Sequence, residues 1–560
     1  MSSRHGREAF FIVGEGMRQI GSDGRPESVT PSSLQDTTEF RFSRFVPGLK
    51  NDRENSTNVL AKLAVAMVGG AGRTDPTLPA GYTYLGQFVD HDMTLDKAEL
   101  NLGMPVDIPG LLSQRSPTLD LDSLYGQGPA ATPQWYEADG MHLRRGTPAN
   151  FESPNAARPG FDLPRWGAEG AGLAEPVPPR RARIPDIRND ENLAVAQVHA
   201  AFIRFHNRVV DEILAGASPG APQQVFDRAR GIVTRHYQWM LRTDYLPRIA
   251  DPAIVDAVFD KGRRFFEPAG EGHATMPVEF SGAAFRLGHS MIRTGYQWNR
   301  HFNATAAQAQ GPIRSGHLFR LFRFSGTSGT LAPTAHPPGS PEDIADLEAA
   351  ANVGAALPAN WVADFTRLFD LRRFGPSFTP APADMNFAMA IDTQIVDPLK
   401  TLPIGSFGGV GEPDLALKRS LAFRNLARGR MLGLPSGQQL AYALGVPALT
   451  ASQIFHGRGG VEISDSLFAG ADRHQLETNT PLWFYVLREA EFGGKNRLAG
   501  VGAIVVAETF HRAMQASTHS IVDDAAFRPT LGPGVPQGRF DMADLLHYAF
   551  EGKADLLNPH

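Results

Sequence analysis

From Val195 the apolar residues fall at Val195, Val198, Phe202, Phe205 and Val209, alternating steps of three and four that lay one apolar stripe along a helix. Pro481 opens a second helix over Leu482–Ala490, a proline in the first turn where its missing N–H is not needed. A third, Leu498–Met514, is small and apolar enough to lie at the centre of a fold. Sustained period-two alternation is scarce, which argues against a large sheet. The pattern predicts a mainly α protein with little β. Two stretches rich in Pro and Gly, Pro148–Pro185 and Gly326–Pro341, read as irregular loop insertions into one large domain. No repeat of solenoid period interrupts this organisation. A chain of 560 residues has no difficulty in burying a core.

The chain contains no cysteine, which removes thiolate-ligated haem, cysteine-held iron–sulfur clusters, structural zinc fingers and disulfide scaffolds. Its 54 Lys and Arg stand against 59 Asp and Glu, a net charge of −5, and no basic run carries interleaved aromatics, so nucleic acid is not an expected partner. The apolar run Leu498–Ala507 is about half of the ~20 residues that a membrane span needs. Ala9–Val13 is too short for the apolar centre of a signal peptide, and the expectation is a cytoplasmic protein without a membrane span. Gly405–Gly411 is glycine-rich, but no strand precedes it, so it is not a nucleotide fingerprint. His199 and His206 lie seven apart on one helix with no third ligand nearby and read as packing residues.

The stretch that carries chemistry is Tyr84-Leu-Gly-Gln-Phe-Val-Asp-His-Asp-Met-Thr94. As a helix it sets Gln87 and His91 at i, i+4 on one face with Asp90 beside them. Asp92, about 200° round from Asp90, points behind. Three further blocks follow: Asp186-Ile-Arg-Asn-Asp-Glu191 ahead of the helix ending His206-Asn-Arg208, Phe285-Arg-Leu-Gly-His-Ser-Met-Ile292, and Arg424-Asn-Leu-Ala-Arg-Gly-Arg-Met-Leu-Gly-Leu-Pro435. In this order the four blocks resemble the distal, arginine, proximal-histidine and asparagine segments of the animal-type haem peroxidases, the peroxidase–cyclooxygenase superfamily. The resemblance spans roughly Tyr84 to Met514 and suggests a bacterial-type member, with a haem peroxidase catalytic domain over residues 81–560 and an N-terminal arm or wrapping segment over residues 1–80.

The resemblance implies a reaction. Splitting hydrogen peroxide needs a base that takes a proton from one oxygen and returns it to the other, and an imidazole can do both near neutral pH. His91 matches that base. Arg188 matches the cation that stabilises the departing oxygen, and Gln87 a pocket group that holds distal water or a halide. His289 matches the axial ligand of the haem iron and Asn425 the partner of its second nitrogen. Arg286 and Arg428 match propionate-side arginines. Asp90 and Glu191 match the carboxylates that form ester bonds to a haem b-derived cofactor. The family's additional sulfonium link is excluded, because Asn192 stands where the methionine would be. Ser116-Pro-Thr-Leu-Asp-Leu-Asp122 resembles the family's calcium loop, in which Ser116, Thr118, Asp120 and Asp122 would join Asp92 around Ca2+.

Three functions compete. The first is a peroxidase that works through a ferryl state and oxidises halides, thiocyanate or small aromatic donors. The second is a fatty-acid dioxygenase, which would use a radical tyrosine three residues before the proximal histidine; that position is Arg286, so Tyr296 or another tyrosine would have to serve. The third is a non-catalytic scaffold, which has no need for the set Gln87, His91, Arg188, His289 and Asn425. The expectation is the peroxidase, with peroxide and a small reductant as its partners. A chain without thiols suits an enzyme that generates oxidants, although 14 methionines remain. The sequence carries no signal of oligomeric state.

Overall fold

The computed structural model describes three short strands between residues 9 and 28, and residues 40–560 except 52, 71, 96–104, 107, 109–110, 112, 114, 174–175, 271–272, 304–313, 349–353, 403–416, 418 and 495. The glycine-rich stretch 405–411 therefore lies outside the described residues, as does most of the segment before residue 40.

Strand content among the described residues is small, as the missing alternation implied. β1 (Ala9–Ile12), β2 (Gly16–Ile20) and β3 (Pro26–Ser28) form an antiparallel meander. Farther on, β4 (Phe42–Ser43) and β5 (Thr74–Pro79) pair with two distant short strands, β6 (Met276–Pro277) in parallel and β7 (Phe387–Met389) antiparallel. Everything else that is regular is helical.

Eight helices frame the site. α1 (Thr57–Met67) starts at Ser56, whose hydroxyl accepts from Val59 N–H. α2 (Gly81–Met93) follows β5 after a single residue. α3 (Leu193–Leu214) starts at Asn192, whose side chain accepts from Val195 N–H, and α4 (Pro222–Met240) has proline in its first turn. These caps satisfy N–H groups that the first turn leaves without partners. α5 (Leu421–Met431), α6 (Leu482–Gly493), α7 (Gly500–Gln515) and α8 (Met542–Ala549) complete the frame. The periodicity from Val195 to Val209 lies wholly inside α3, and the run after Pro481 is α6.

The third expected helix begins two residues late. Leu498 instead pairs with Ala250 across a β-bridge, and the Glu489 carboxylate on α6 accepts from Val501 and Gly502 N–H at 3.0 Å each. A buried acid from a neighbouring helix thus decides where α7 starts. From Val501 to Met514 nearly every residue of α7 is buried, so it is the central helix. α3 packs on α2, α4 and α8. α1 packs on α5 and buries Val59, Leu60, Leu63, Ala64 and Met67, while Phe45 stacks on Phe266 at 5.5 Å. From residue 40 onward, then, the segment expected to form an arm contributes to the core itself.

Both Pro/Gly-rich stretches lack long helices in the structure, and carboxylates hold them in place. Asp162 takes both Nε and Nη2 of Arg165 at 2.8 and 2.6 Å. In the second stretch Gly326 donates its N–H to Asp190 at 3.0 Å. Among the described residues no helix is long and apolar enough to cross a membrane.

Candidate active site

A cleft enclosing about 1220 Å³, open mouth included, separates α2 from the turn Ala284–Leu287 and the short helix Gly288–Met291. Gln87, Asp90 and His91 line it from α2, the face that their spacing predicted, and Tyr84 lines it as well. Asp92 is fully buried behind, where its two oxygens accept from Leu121 and Ser123 N–H.

His91 is held by a group that sequence reasoning missed. Its Nδ1 lies 2.9 Å from Oδ1 of Asn189, an asparagine with no exposure to solvent. With the amide oxygen there, Nδ1 carries the proton and Nε2 is the free base. Nε2 stands 3.8 Å from Oε1 of Glu191. Burial, reinforced by the charge of Arg188, lowers the imidazole to about 3, so it is neutral at physiological pH. Glu191 also lines the cleft, and burial raises its carboxyl to about 7. Its Oε1 accepts from Gln87, whose own amide oxygen accepts from Asn192 at 3.0 Å. Asn192 therefore both caps α3 and holds Gln87. Asp90, raised by burial, accepts from Thr94 Oγ1 at 3.3 Å.

Arg188 departs from expectation: it is not on the cleft wall. Its Nε donates to Asp186 Oδ1 at 3.0 Å and its Nη2 to Asp186 Oδ2 at 2.7 Å, while Nη2 also donates to the carbonyls of His91 and Thr94 at 3.0 and 2.7 Å. Nη1 is the nitrogen left over. Arg115 grips the same Asp186 from the other side, Nε and Nη2 lying 2.9 and 2.8 Å from Oδ2. Although burial opposes ionisation of Asp186, the two guanidiniums hold its carboxyl far below the usual range. The result is a buried Arg115–Asp186–Arg188 clamp bonded to the end of α2.

His289 faces the cleft from the opposite wall. Its Nδ1 lies 2.7 Å from the Asn425 amide nitrogen, which brings together two residues 136 apart in sequence and leaves Nε2 without a protein partner. Burial, aided by Arg286, lowers His289 to about 3, so its imidazole is also neutral. Arg286 lines the cleft but does not point freely into it. Its Nε donates to Ser281 O at 2.9 Å and its Nη1 to Asn425 Oδ1 at 3.0 Å, because a three-residue offset on a tight turn turns it toward α5. Arg428 is off the wall as well; Arg424, one helical turn earlier, lines the cleft instead. Burial lowers both of these arginines to about 10.

The expected calcium ligands are all buried, but they do not converge. Asp122 accepts from Ser116 N–H at 3.3 Å, Asp120 from Thr518 N–H at 3.1 Å, and the hydroxyls of Ser116 and Thr118 bond each other at 2.8 Å. Among the described residues no group of three or more His, Asp or Glu side chains is arranged to hold a metal ion. The carboxylates turn to nearby backbone N–H groups, while burial and then the charges of Asp122 and Asp120 push Asp92 well up. His199 and His206 are fully buried and belong to the core.

The chain is similar to known proteins over part of its length. The family model for the animal haem peroxidases matches residues 108–321, a stretch that holds Arg188, Glu191, Arg286 and His289. Human thyroid peroxidase is 30% identical over 182 residues, 31% of this chain and 19% of that protein. Heme peroxidase 2 of Caenorhabditis elegans is 25% identical over 186 residues, 32% of this chain and 24% of that protein. The matches thus span a quarter or less of these curated relatives. Peroxidase A from Dictyostelium discoideum superposes with a TM-score of 0.52 at 15% identity, covering 90% of this chain and 95% of that one. A fatty acid alpha-dioxygenase from Arabidopsis thaliana gives 0.51 at 12% identity, covering 99% of this chain and 85% of that one. At such identities the structural likenesses speak for the fold alone. Over residues 108–321 the chain is thus similar to the animal haem peroxidases.

Proposed function

We propose that this chain is a haem peroxidase that reduces hydrogen peroxide and oxidises small donors, either halides and thiocyanate or small aromatics. The observation that carries the reading is the pair of neutral histidines on opposite walls of one cleft, each with Nδ1 bonded to a buried asparagine. Asn189 accepts from His91 Nδ1, leaving its Nε2 a free base, whereas the Asn425 amide donates to His289 Nδ1, so that His289 would give up an Nε2 proton on binding iron. The donor set fits haem. A neutral imidazole suits iron, and the remaining wall supplies the apolar side chains Ile292, Leu318, Phe322, Leu399, Leu402 and Leu421 that a macrocycle needs. Haem would supply the electrons that cleave the O–O bond.

The chain's residues do the rest. His91 Nε2 takes the proton of one peroxide oxygen and returns it to the other. Asn189 keeps that nitrogen unprotonated. Gln87, held between Glu191 and Asn192, orients water or donor in the cleft. Arg188, whose Nη1 makes no hydrogen bond among the described residues, is the candidate cation for the departing oxygen. Asp90 and Glu191 both reach the cleft and are the candidates for ester bonds to haem; denaturing electrophoresis with haem staining tests this, and haem that runs free would refute it. Because Asn192 cannot form a sulfonium link, efficient chloride oxidation is not expected.

The buried Asp92, Asp120 and Asp122 have the hard oxygen chemistry of a calcium site. We propose that a bound Ca2+ would draw them, with Ser116 and Thr118, out of their present hydrogen bonds into one ligand set that fixes α2. If so, chelation lowers the melting temperature and calcium restores it; a melting temperature indifferent to both removes the assignment. The compartment proposed is the cytoplasm.

The deciding experiment records the Soret band of purified protein and compares peroxide-driven turnover of guaiacol, bromide and iodide with oxygen uptake on linoleate. Peroxide-driven turnover is expected. Oxygen uptake alone would favour the lipid dioxygenase, a reading that Arg286 opposes because it is committed to Asn425.

A further inference from the structure

The first Pro/Gly-rich stretch, with the residues just before it, takes no part in the peroxide chemistry above but walls a second cavity. Extended segments lie side by side there. Gly146 bridges to Asp162, and Arg165 to Ala182, both antiparallel. Gly146 permits the first of these approaches, because a Cβ on it would run into the Leu163 carbonyl. The cavity encloses about 730 Å³, open mouth included, and Arg144, Arg145, Arg165 and Arg183 line it together with Glu137 and Glu169.

These arginines are of two kinds. Arg165 is committed to the scaffold: besides its two bonds to Asp162, its Nη1 donates to Asp190 Oδ2 at 2.9 Å and to Arg180 O at 2.7 Å. Asp162 is committed in turn, accepting also from Leu163 and Leu357 N–H at 2.7 and 2.9 Å. The other three keep donors to spare. Arg144 uses only its Nε, on Gln134 O at 3.0 Å. Arg145 is exposed and makes no hydrogen bond or ion pair among the described residues. Arg183 lies over Trp166, 4.5 Å from the ring centroid, and its Nη1 donates at 2.8 Å to Glu169, whose carboxylate is largely in solvent. The Arg183 Nε is buried without a partner, a costly state for a charged group. Burial and then the charge of Arg144 lower Arg183, so two cations oppose each other at this wall.

We propose that this cavity binds a small divalent oxyanion, a phosphate or a phosphate monoester, through Arg144, Arg145 and Arg183. A tetrahedral oxyanion offers acceptors in several directions at once, which suits guanidinium forks arriving from two separate segments. It gives the Arg183 Nε an acceptor and screens Arg183 from Arg144. Arg165, tied to Asp162 and Asp190, holds the floor in place and is not itself a ligand. Glu137 lines the same wall without an ion pair and is an acceptor for the hydroxyls of an ester.

The test titrates the full-length protein, with and without haem, in a calorimeter at constant ionic strength. The probes are inorganic phosphate, glycerol phosphate and, as a monovalent control, acetate. One saturable site is expected for the two phosphates and none for acetate; tighter binding of glycerol phosphate assigns the site to esters, equal binding to free phosphate. Arg145→Gln and Arg183→Gln should each raise the Kd by about tenfold. Arg183→Lys, which keeps the charge and loses the fork, should weaken binding too. Arg158→Gln, outside the cavity, should leave it unchanged. Because Arg145 is exposed and has no partner to lose, Arg145→Gln should melt as the parent does, which separates a lost contact from a lost fold. Unchanged affinity in both Arg145→Gln and Arg183→Gln, equal weakening by Arg158→Gln, or acetate binding as tightly as phosphate overturns the proposal. So does the absence of both saturable heat and any rise in melting temperature with phosphate. The cavity is separate from the cleft, so each of these outcomes leaves the peroxidase reading as it stands.

Discussion

At the scale of single residues, the site depends on side chains that touch other side chains more than on those that face the cleft. Asp186 is the clearest case. It is 3% exposed and lies between two guanidiniums, so Asp186→Asn leaves Arg115 and Arg188 with an uncompensated buried charge. Breaking such a network costs about 3–5 kcal/mol, and urea denaturation should show a loss of that order. Arg188 would also be released from the end of α2, and stopped-flow mixing should show slower consumption of peroxide with donor oxidation unchanged once the enzyme is oxidised. Asn192 is a second case. Asn192→Ala removes the cap of α3, worth roughly 1 kcal/mol, and frees Gln87. A loss of stability without any change in how azide or halide perturbs the Soret band would show that the bond to Gln87 does not matter. Gln87 and His91 were legible in sequence because their spacing sets them on one face of a helix, whereas His289 and Glu191 were legible only because their segments resemble those of the animal-type haem peroxidases. Asn189 was in view as part of Asp186–Glu191, but which residue of a tight turn points inward depends on the turn's geometry.

At the scale of elements, two contacts set how helices meet the cleft. The first is Gly86 under Tyr245. Gly86→Ala places a methyl group where the hydroxyl lies, and overpacking of this kind costs about 1–3 kcal/mol. Adding Tyr245→Phe removes the clashing oxygen, so the double variant should recover part of the loss, giving a coupling energy that a thermodynamic cycle reads directly. Additive losses would show that the two do not touch. The second contact is His236 on α4. Its Nδ1 donates to Ile232 O at 2.7 Å, and its Nε2 accepts from Thr530 and Leu531 N–H at 2.9 and 3.2 Å. Only the neutral ring can do both. Burial lowers its pKa to about 4, so the clip at 530–531 should hold down to that pH. Amide exchange at Thr530 and Leu531 should accelerate below it.

At the scale of the whole molecule, buried histidines govern stability toward acid. His199 is lowered to about 3 and His206, His236 and His511 to about 4, in each case chiefly by burial. The unfolded chain binds these protons at its ordinary value near 6.5 and the folded chain does not, so stability falls as pH drops from about 6.5 to about 4. Glu191, Glu489 and Asp392 act in the opposite sense. Burial raises all three to about 7, and they withdraw stability as pH climbs from the ordinary carboxylate range to 7. The histidines are more numerous, so the melting temperature of haem-free protein should rise from pH 4.5 to 6.5 and level off above. A maximum near pH 4.5 would contradict this balance. The same scale accounts for residues 40–80, which enter the core through α1 and β5. Nothing in their own periodicity reports that α5, more than 350 positions away, would cover them.

What the sequence by itself determined is local: which segments are helical, which face of α2 carries Gln87, Asp90 and His91, and that Asp92 lies behind. These follow from the helical repeat, which each segment contains. The tertiary structure alone decided the rest. It set the start of α7, because a carboxylate on α6 caps it. It also drew Arg188 behind the wall onto Asp186, turned Arg286 to Asn425, exchanged Arg428 for Arg424 at the cleft, and directed Tyr245 onto Gly86. In each case a charged or polar group took the partner nearest in space, and spatial neighbours on different elements have no fixed separation along the chain.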